Sequence, residues 1–183
     1  VANGNAVDLV YNPSYVYDTT SADITVSTPL AANGPFGGVY TYGANTLTLA
    51  TANTYTGDTT LNTGTLALGD DHALGSGALR VYGYGSTFLH ATGGARTIAN
   101  AVYLIGSPVI DGADDLSFTG SVTNLTTGSP TLTVTNTGTT TFNDIVLSST
   151  SDAYTKTGRT LTLNIDSAAG LTTPFLCQTR ADL

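Results

Sequence analysis

The sequence predicts an all-β protein folded as a β-solenoid, and three observations lead to this prediction. Threonine is the commonest residue, with 36 copies among 183 residues, while Glu and Met are absent and Lys occurs once. This composition favours strands, because Thr, Val and Tyr are enriched in sheets and Glu, Lys and Met in helices. Apolar and polar residues alternate along most of the chain, as on strands with one buried face. Similar strand patterns return at intervals of roughly 20 to 30 residues, the size of one solenoid coil.

Four short segments show the clearest alternation. They start at residues 46, 65, 131 and 160, and the segments at 46 and 160 both read Thr-Leu-Thr-Leu. Their apolar residues point to one side of a strand and their threonines to the other. Further strands are predicted over 78–82, 87–91, 97–106, 116–123 and 141–147. Gly, Asn, Asp or Ser punctuates nearly all of these segments, as at Gly69-Asp70-Asp71, which indicates a turn after each strand.

Stacked coils place such strands in parallel ladders. Neighbouring strands lie about 4.8 Å apart, so eight coils or so would form a rod of roughly 40 Å. Inward Leu, Val and Ile form apolar ladders, and outward Thr and Asn form ladders of hydroxyl and amide groups that stabilise the stack. Two-residue hairpin loops, which an antiparallel arrangement favours, do not stand out.

The two ends of the chain differ from its middle. The segment 1–43 contains half of the ten tyrosines and three prolines. We predict that it is a cap for the solenoid end or an arm that docks on a neighbouring subunit, since solenoid ends must be shielded. Residues 44–165 form the solenoid repeats, and residues 166–183 form a second cap or joint. The single cysteine, Cys177, has no partner within the chain, so burial and pairing with another molecule both stay open.

The stretch 52–79 resembles a known repeat. It contains Asn-Thr-Tyr-Thr-Gly at 53–57, Gly-Thr-Leu at 64–66 and Ala-Leu-Gly-Ser-Gly-Ala-Leu at 73–79. This order is similar to the autotransporter-associated β-strand repeat, also called the passenger-associated transport repeat, and the resemblance covers about residues 44–165. The resemblance implies a right-handed parallel β-helix of the kind that builds the stalks of long bacterial surface and secreted proteins.

Charge and composition exclude several classes of partner. The formal net charge is −8, with five basic residues against 13 aspartates. Nucleic acids and anionic membrane surfaces attract Lys and Arg, so neither is expected to bind. Membrane insertion is not expected either, because no apolar run reaches the roughly 20 residues of a membrane helix. We expect an extracellular or cell-surface location after removal of a signal peptide, because acidic, Thr-rich and lysine-poor chains are typical of secreted bacterial surface proteins.

Few residues suggest chemistry, and we predict neither an enzyme nor a bound cofactor. Asp111, Asp114 and Asp115 form the densest charge group and are candidates for Ca²⁺, which takes about six to eight oxygen ligands. The favoured interpretation is that they are turn aspartates that accept backbone N–H groups. A polysaccharide-cleaving site built from this cluster with Arg80 and Arg96 is a further hypothesis. It is disfavoured because the chain has no Glu to serve as an acid of raised pKa.

Two pairs of tyrosines alternate along the chain, Tyr40 with Tyr42 and Tyr82 with Tyr84. Each pair places two rings on one face of a strand, where exposed rings bind sugars or partner proteins. Capping of the solenoid ends is the alternative interpretation. The full set of candidates for a subunit interface or ligand site is Tyr11, Tyr15, Tyr17, Tyr40, Tyr42, Tyr82, Tyr84, Phe175 and Cys177.

Two functions follow from these patterns. The first is a structural, non-catalytic extracellular β-solenoid subunit that assembles head to tail with copies of itself into a surface fibre or biofilm matrix. The unpaired edge of a terminal coil is a template for another chain, and a head-to-tail contact that does not close propagates as a filament. Strand exchange between subunits is a second route to the same polymer. The alternative function is the stalk fragment of an autotransporter adhesin passenger that binds glycans or host matrix.

Overall fold

The structure is a computed structural model that describes residues 14–32, 34, 37–83, 86–125, 131–146, 162–165 and 170–172. These residues form sixteen strands and no helix. In chain order the strands are β1 Tyr15–Thr19, β2 Ile24–Val26, β3 Val39–Gly43, β4 Thr46–Leu49, β5 Thr59–Leu61, β6 Gly64–Leu68, β7 Leu79–Val81, β8 Thr87–Ala91, β9 Arg96–Ile98, β10 Val102–Leu104, β11 Val109–Ile110, β12 Leu116–Asn124, β13 Thr131–Val134, β14 Thr139–Val146, β15 Thr162–Ile165 and β16 Gly170–Thr172.

The described strands form two parallel sheets. The first sheet has the order β1-β3-β5-β7-β10-β12-β14-β16, with β9 also paired to β12, and the second has the order β15-β13-β11-β8-β6-β4-β2. The chain alternates between the sheets, except that β9 and β10 both belong to the first, and it returns to each sheet one strand further along. This path is a parallel β-helix, so the all-β solenoid predicted from the sequence is confirmed.

The core consists of columns of apolar side chains that point inward from successive coils. In the second sheet Leu47 pairs in register with Leu66, and Leu66 pairs with Leu89. Their exposed fractions are 0%, 0% and 3%, as expected for alternate residues on strands with one buried face. Burial of each such leucine stabilises the fold by about 1.5–3 kcal/mol relative to an exposed one. The predicted alternation of inward leucine and outward threonine is therefore correct.

One predicted strand is divided and another contains a register shift where the chain returns from the second sheet to the first. The run 97–106 is divided into β9 and β10, because Asn100 lies at a turn between them and its amide donates to the carbonyls of Gly75 and Gly77 at 3.0 and 2.6 Å. In β12 the register shifts between Phe118 and Ser121. A Cβ on the intervening Gly120 would lie 2.3 Å from the Asn100 carbonyl oxygen, so only glycine fits this shift.

The parallel ladder extends beyond the repeat limits of 44 and 165 at both ends. Strand β1 pairs in register with β3, and β2 pairs with β4, although β1, β2 and β3 all lie within the segment 1–43. At the other end β16 pairs with β14. Strands β1, β2 and β3 are therefore continuous with the solenoid, whereas residues 1–13 lie outside the described residues.

Asparagine side chains join neighbouring coils at the corners. The Asn45 amide donates to the Thr19 carbonyl at 2.7 Å, and the Asn136 amide donates to the Asp114 carbonyl at 3.0 Å. Asn53 connects three coils, because its Oδ1 accepts from the Leu30 N–H at 2.7 Å and its Nδ2 donates to the Ala73 carbonyl at 2.6 Å. These bonds satisfy backbone groups that strand pairing leaves free at the turns.

Candidate functional site

The outer face of the first sheet presents a group of aromatic side chains. Residues in register on parallel strands form columns, and the residues that alternate with the buried ones point outward. Tyr40 and Tyr42 flank the buried Thr41 on β3, so both rings face outward. Tyr103 faces outward between buried residues on β10. The outward column that contains two of these rings runs Val16, Tyr40, Thr60, Arg80 and Tyr103.

The first two rings of this group lie side by side. The centroids of Tyr40 and Tyr42 are 6.0 Å apart and their planes are inclined by 51°, within the usual range for interacting aromatic pairs. The pair of rings predicted on one face is therefore present. Asp18 neighbours Tyr42 in the ladder and accepts a hydrogen bond from its hydroxyl, which raises the pKa of Tyr42. Hydrogen bonds from the Thr20 hydroxyl and N–H hold the pKa of Asp18 below its usual range.

An ion pair holds the Arg80 side chain beside the third ring, that of Tyr103. The Arg80 Nε lies 2.5 Å from Asp58 Oδ2, and about a third of each side chain is exposed. Asp58 also accepts the backbone N–H of Ala78 at 2.9 Å. The Arg80 guanidinium carbon lies 5.1 Å from the centroid of the Tyr103 ring, which is the geometry of a cation–π contact. We call Tyr40, Tyr42, Asp58, Arg80 and Tyr103 the tyrosine strip.

Sequence reasoning missed part of this strip. Tyr103 was not among the candidates, and Arg80 was considered only with the distant aspartate cluster. The available signal was the alternation in Leu79-Arg80-Val81 and Val102-Tyr103-Leu104, which places both polar residues outward. A repeat of fixed length does not predict that Arg80 and Tyr103 are neighbours. Arg80 pairs in register with Thr60 on the preceding coil and with Tyr103 on the following coil. The sequence separations of these two pairs differ by three residues.

The earlier tyrosines have a different environment. Tyr15 and Tyr17 point toward the interior and pack, half-buried, against the core. Burial raises the pKa of Tyr17, and the Tyr15 hydroxyl donates to the Ala31 carbonyl at 3.2 Å. These two residues therefore belong to the inward layer of the first described coil and do not lie on its outer face.

The remaining candidates are dispersed or lie outside the described residues. Tyr82 directly follows β7, and its N–H continues the ladder by bonding to the Leu61 carbonyl at 3.0 Å. Its side chain is half-buried. The candidates outside the described residues are Tyr11, Tyr84, Phe175 and Cys177.

The three aspartates considered for Ca²⁺ each have a separate role. Asp111 Oδ1 lies 2.9 Å from His90 Nδ1, Asp114 accepts the Gly94 N–H at 3.0 Å, and Asp115 accepts the Thr139 N–H at 2.7 Å. Within the described ranges no group of three or more His, Cys, Asp or Glu residues could hold a metal ion. The three carboxylates therefore join neighbouring coils: Asp114 and Asp115 accept backbone N–H groups, whereas Asp111 contacts a histidine side chain.

In the described part of the chain neither arginine considered for a cleaving site forms an ion pair with these aspartates, although the backbone N–H of Arg96 donates to the Asp115 carbonyl at 2.9 Å. Arg96 donates to the carbonyls of Thr92 and Gly93 at 3.0 Å, and Arg80 pairs with Asp58. An interior cavity of about 10 Å³ is lined by apolar side chains that include Val81, Phe118 and Phe142. It is too small for a ligand and provides no polar partner for a water molecule.

No protein-family model, curated protein or solved structure matches the chain. In the part of the chain that the structure describes, no helix is long and apolar enough to cross a membrane.

Proposed function

We propose that this chain is a structural, non-catalytic extracellular β-solenoid subunit that assembles head to tail into a surface fibre or matrix. The solenoid geometry supports this proposal, because a coil is complete only when another coil covers it. Each coil contacts only its neighbours along the axis, so a second copy at the end can continue the same ladders.

The observation that carries the proposal is the half-buried first coil. Ile24 and Val26 point inward on β2 but stay partly exposed, whereas their partners Leu47 and Leu49 on the next coil are 0% exposed. Tyr17 on β1 is likewise half-buried, whereas its partner Thr41 on β3 is only 1% exposed. Among the residues that the structure describes, the inward side chains of this first coil thus have a packing layer on one side only.

A further coil would bury this apolar surface and pair with the outer edges of β1 and β2. Among the described strands β1 and β2 each have one neighbour, and unpaired strand edges are templates for a second chain. The resemblance of residues 44–165 to the autotransporter-associated repeat, which builds extended stalks, also supports the proposal. The threonine-rich outer columns suit an assembly that remains in water.

Electron microscopy of the purified chain over a dilution series tests this function. Val26→Lys places a charge among the inward side chains of the half-buried first coil, which we call the half-buried end, and is expected to abolish fibres. Thr25→Lys, on the same strand but on its exposed outer face, is the matched control and is expected to assemble like the unmodified chain. Far-UV circular dichroism establishes that both variants fold. Single particles of the unmodified chain at every concentration, or fibres of Val26→Lys equal to those of the control, would overturn the proposal.

A further inference from the structure

We propose that the outer face of the first sheet binds an uncharged polysaccharide, with the tyrosine strip as its recognition surface. The strip lies along the side of the solenoid and does not include the half-buried end. Binding there is therefore independent of head-to-tail assembly and adds a ligand to the proposed structural role.

Two rings of the strip lie in one column. Tyr40 and Tyr103 are separated by Thr60 and Arg80, three ladder steps in all, which corresponds to about 14 Å. The negative face of an aromatic ring attracts the weakly positive C–H groups on the flat side of a sugar ring. A chain of several sugars laid along the solenoid axis can therefore stack on Tyr40, with Tyr42 beside it, and reach Tyr103 together with the Arg80 guanidinium that covers one face of that ring.

The polar groups between the rings suit hydroxyl-rich ligands. The Arg80 guanidinium is planar and has five N–H donors, of which the Nε–H is used by Asp58. The ion pair with Asp58 and the contact with Tyr103 restrain this side chain before a ligand arrives, which lowers the entropic cost of binding. The hydroxyl group of Thr60 and the free lone pairs of the Asp58 carboxylate provide further partners for sugar hydroxyls.

Charge excludes the anionic polysaccharides. Arg80 is neutralised by Asp58, and Asp18 adds a further carboxylate beside Tyr42. The whole chain has a net charge of −8, so a polyanion is repelled at long range as well as at the strip. A protein partner is disfavoured because protein interfaces have a core depleted of charged residues, whereas an ion pair lies at the centre of this strip.

The test is native electrophoresis of the full chain in gels that contain one soluble polysaccharide at a time. The probes are a β-glucan, a galactomannan and dextran, with the anionic polymer alginate and a polymer-free gel for comparison. We expect at least one uncharged polymer to retard the chain and alginate to have no effect. The double variant Tyr40→Ala/Tyr103→Ala should lose at least tenfold in affinity, while Tyr40→Phe, which keeps the ring, should stay within about threefold of the unmodified chain.

Two controls separate this binding from folding and from assembly. Phe88→Ala removes a half-buried outward ring from β8 on the second sheet and should leave the retardation unchanged. Val26→Lys, expected to block assembly, should also bind normally. The proposal is overturned if no uncharged polymer retards the chain, if alginate retards it equally, or if Phe88→Ala loses as much affinity as the double variant. It is also overturned if light scattering shows a dimer that the double variant abolishes, because the strip would then be a contact between copies.

Discussion

Replacement of Asn53 by alanine tests whether side-chain amides join the coils. Asn53 is 5% exposed, and its amide bonds to Leu30 on the preceding coil and to Ala73 on the following one. Alanine removes both bonds without changing any inward apolar column. The backbone N–H of Leu30 then loses its partner, whereas the carbonyl of Ala73 retains the hydrogen bond from the Tyr55 hydroxyl at 3.3 Å.

The expected cost follows from these two backbone groups. A buried polar group without a partner costs about 1–3 kcal/mol. Ala73 is fully buried, whereas Leu30 is half-buried and its N–H can regain water in part. The Ala73 carbonyl also keeps the hydrogen bond from the Tyr55 hydroxyl, so we expect the free energy of unfolding to fall by about 2 kcal/mol. For a chain of this length, each 1 kcal/mol shifts the midpoint by about 2–4 °C, so Tm should fall by roughly 4–8 °C.

Urea and thermal denaturation, followed by far-UV circular dichroism, measure this loss. Thr48→Ala is the matched control, since Thr48 points outward from β4 and a surface substitution of this kind changes stability by about 0.5 kcal/mol or less. A loss for Asn53→Ala no larger than that of the control would refute the idea that these amides join the coils.

Three further predictions concern the turns, the core and the alkaline limit of stability. Gly64 has φ +81°, and a Cβ there would lie 2.6 Å from the Gly43 carbonyl oxygen, whereas Gly94 has φ +118° and open space around it. In Gly94→Ala the backbone strain alone costs about 1–2 kcal/mol. Gly64→Ala adds a steric clash to such strain and should therefore lower the urea midpoint clearly more than Gly94→Ala. Phe118 stacks on Phe142 at 5.3 Å in the core, so Phe118→Ala should cost about 3–5 kcal/mol in chemical denaturation, and a loss below 1 kcal/mol would contradict the described packing. Burial raises the pKa of Tyr55, so the folded state favours the protonated phenol; the stability that this provides is present below about pH 10 and is lost as the pH rises further. Denaturation midpoints measured from pH 8 to 12 should fall less steeply for Tyr55→Phe than for the unmodified chain, and parallel curves would contradict this assignment.

The strands that the sequence predicted best are those with apolar residues on one face only. Strands β4 and β13 have the predicted bounds, because the alternation of Leu or Val with Thr decides both the conformation and the buried side. The same alternation placed Tyr40 and Tyr42 on one outer face. A local pattern is sufficient for these features, since they depend on neighbours within a single strand.

Features that depend on the neighbouring coil were not predictable in the same way. The break between β9 and β10 follows from bonds that Asn100 makes to residues more than 20 positions earlier. The strand β5 is only three residues long and offers too few alternations to recognise. The contact between Arg80 and Tyr103 requires the register between coils of unequal length, which composition and periodicity do not provide.

Fibre diffraction from oriented fibres of the assembled chain tests coaxial head-to-tail stacking most directly. If the solenoid axes lie along the fibre, the ladder spacing of about 4.8 Å must give a reflection on the meridian. Coaxial stacking predicts that reflection in fibres of the unmodified chain and of Thr25→Lys. A 4.8 Å reflection on the equator would show that the solenoids lie across the fibre and would contradict assembly through the half-buried end, as would the failure of the chain to form fibres.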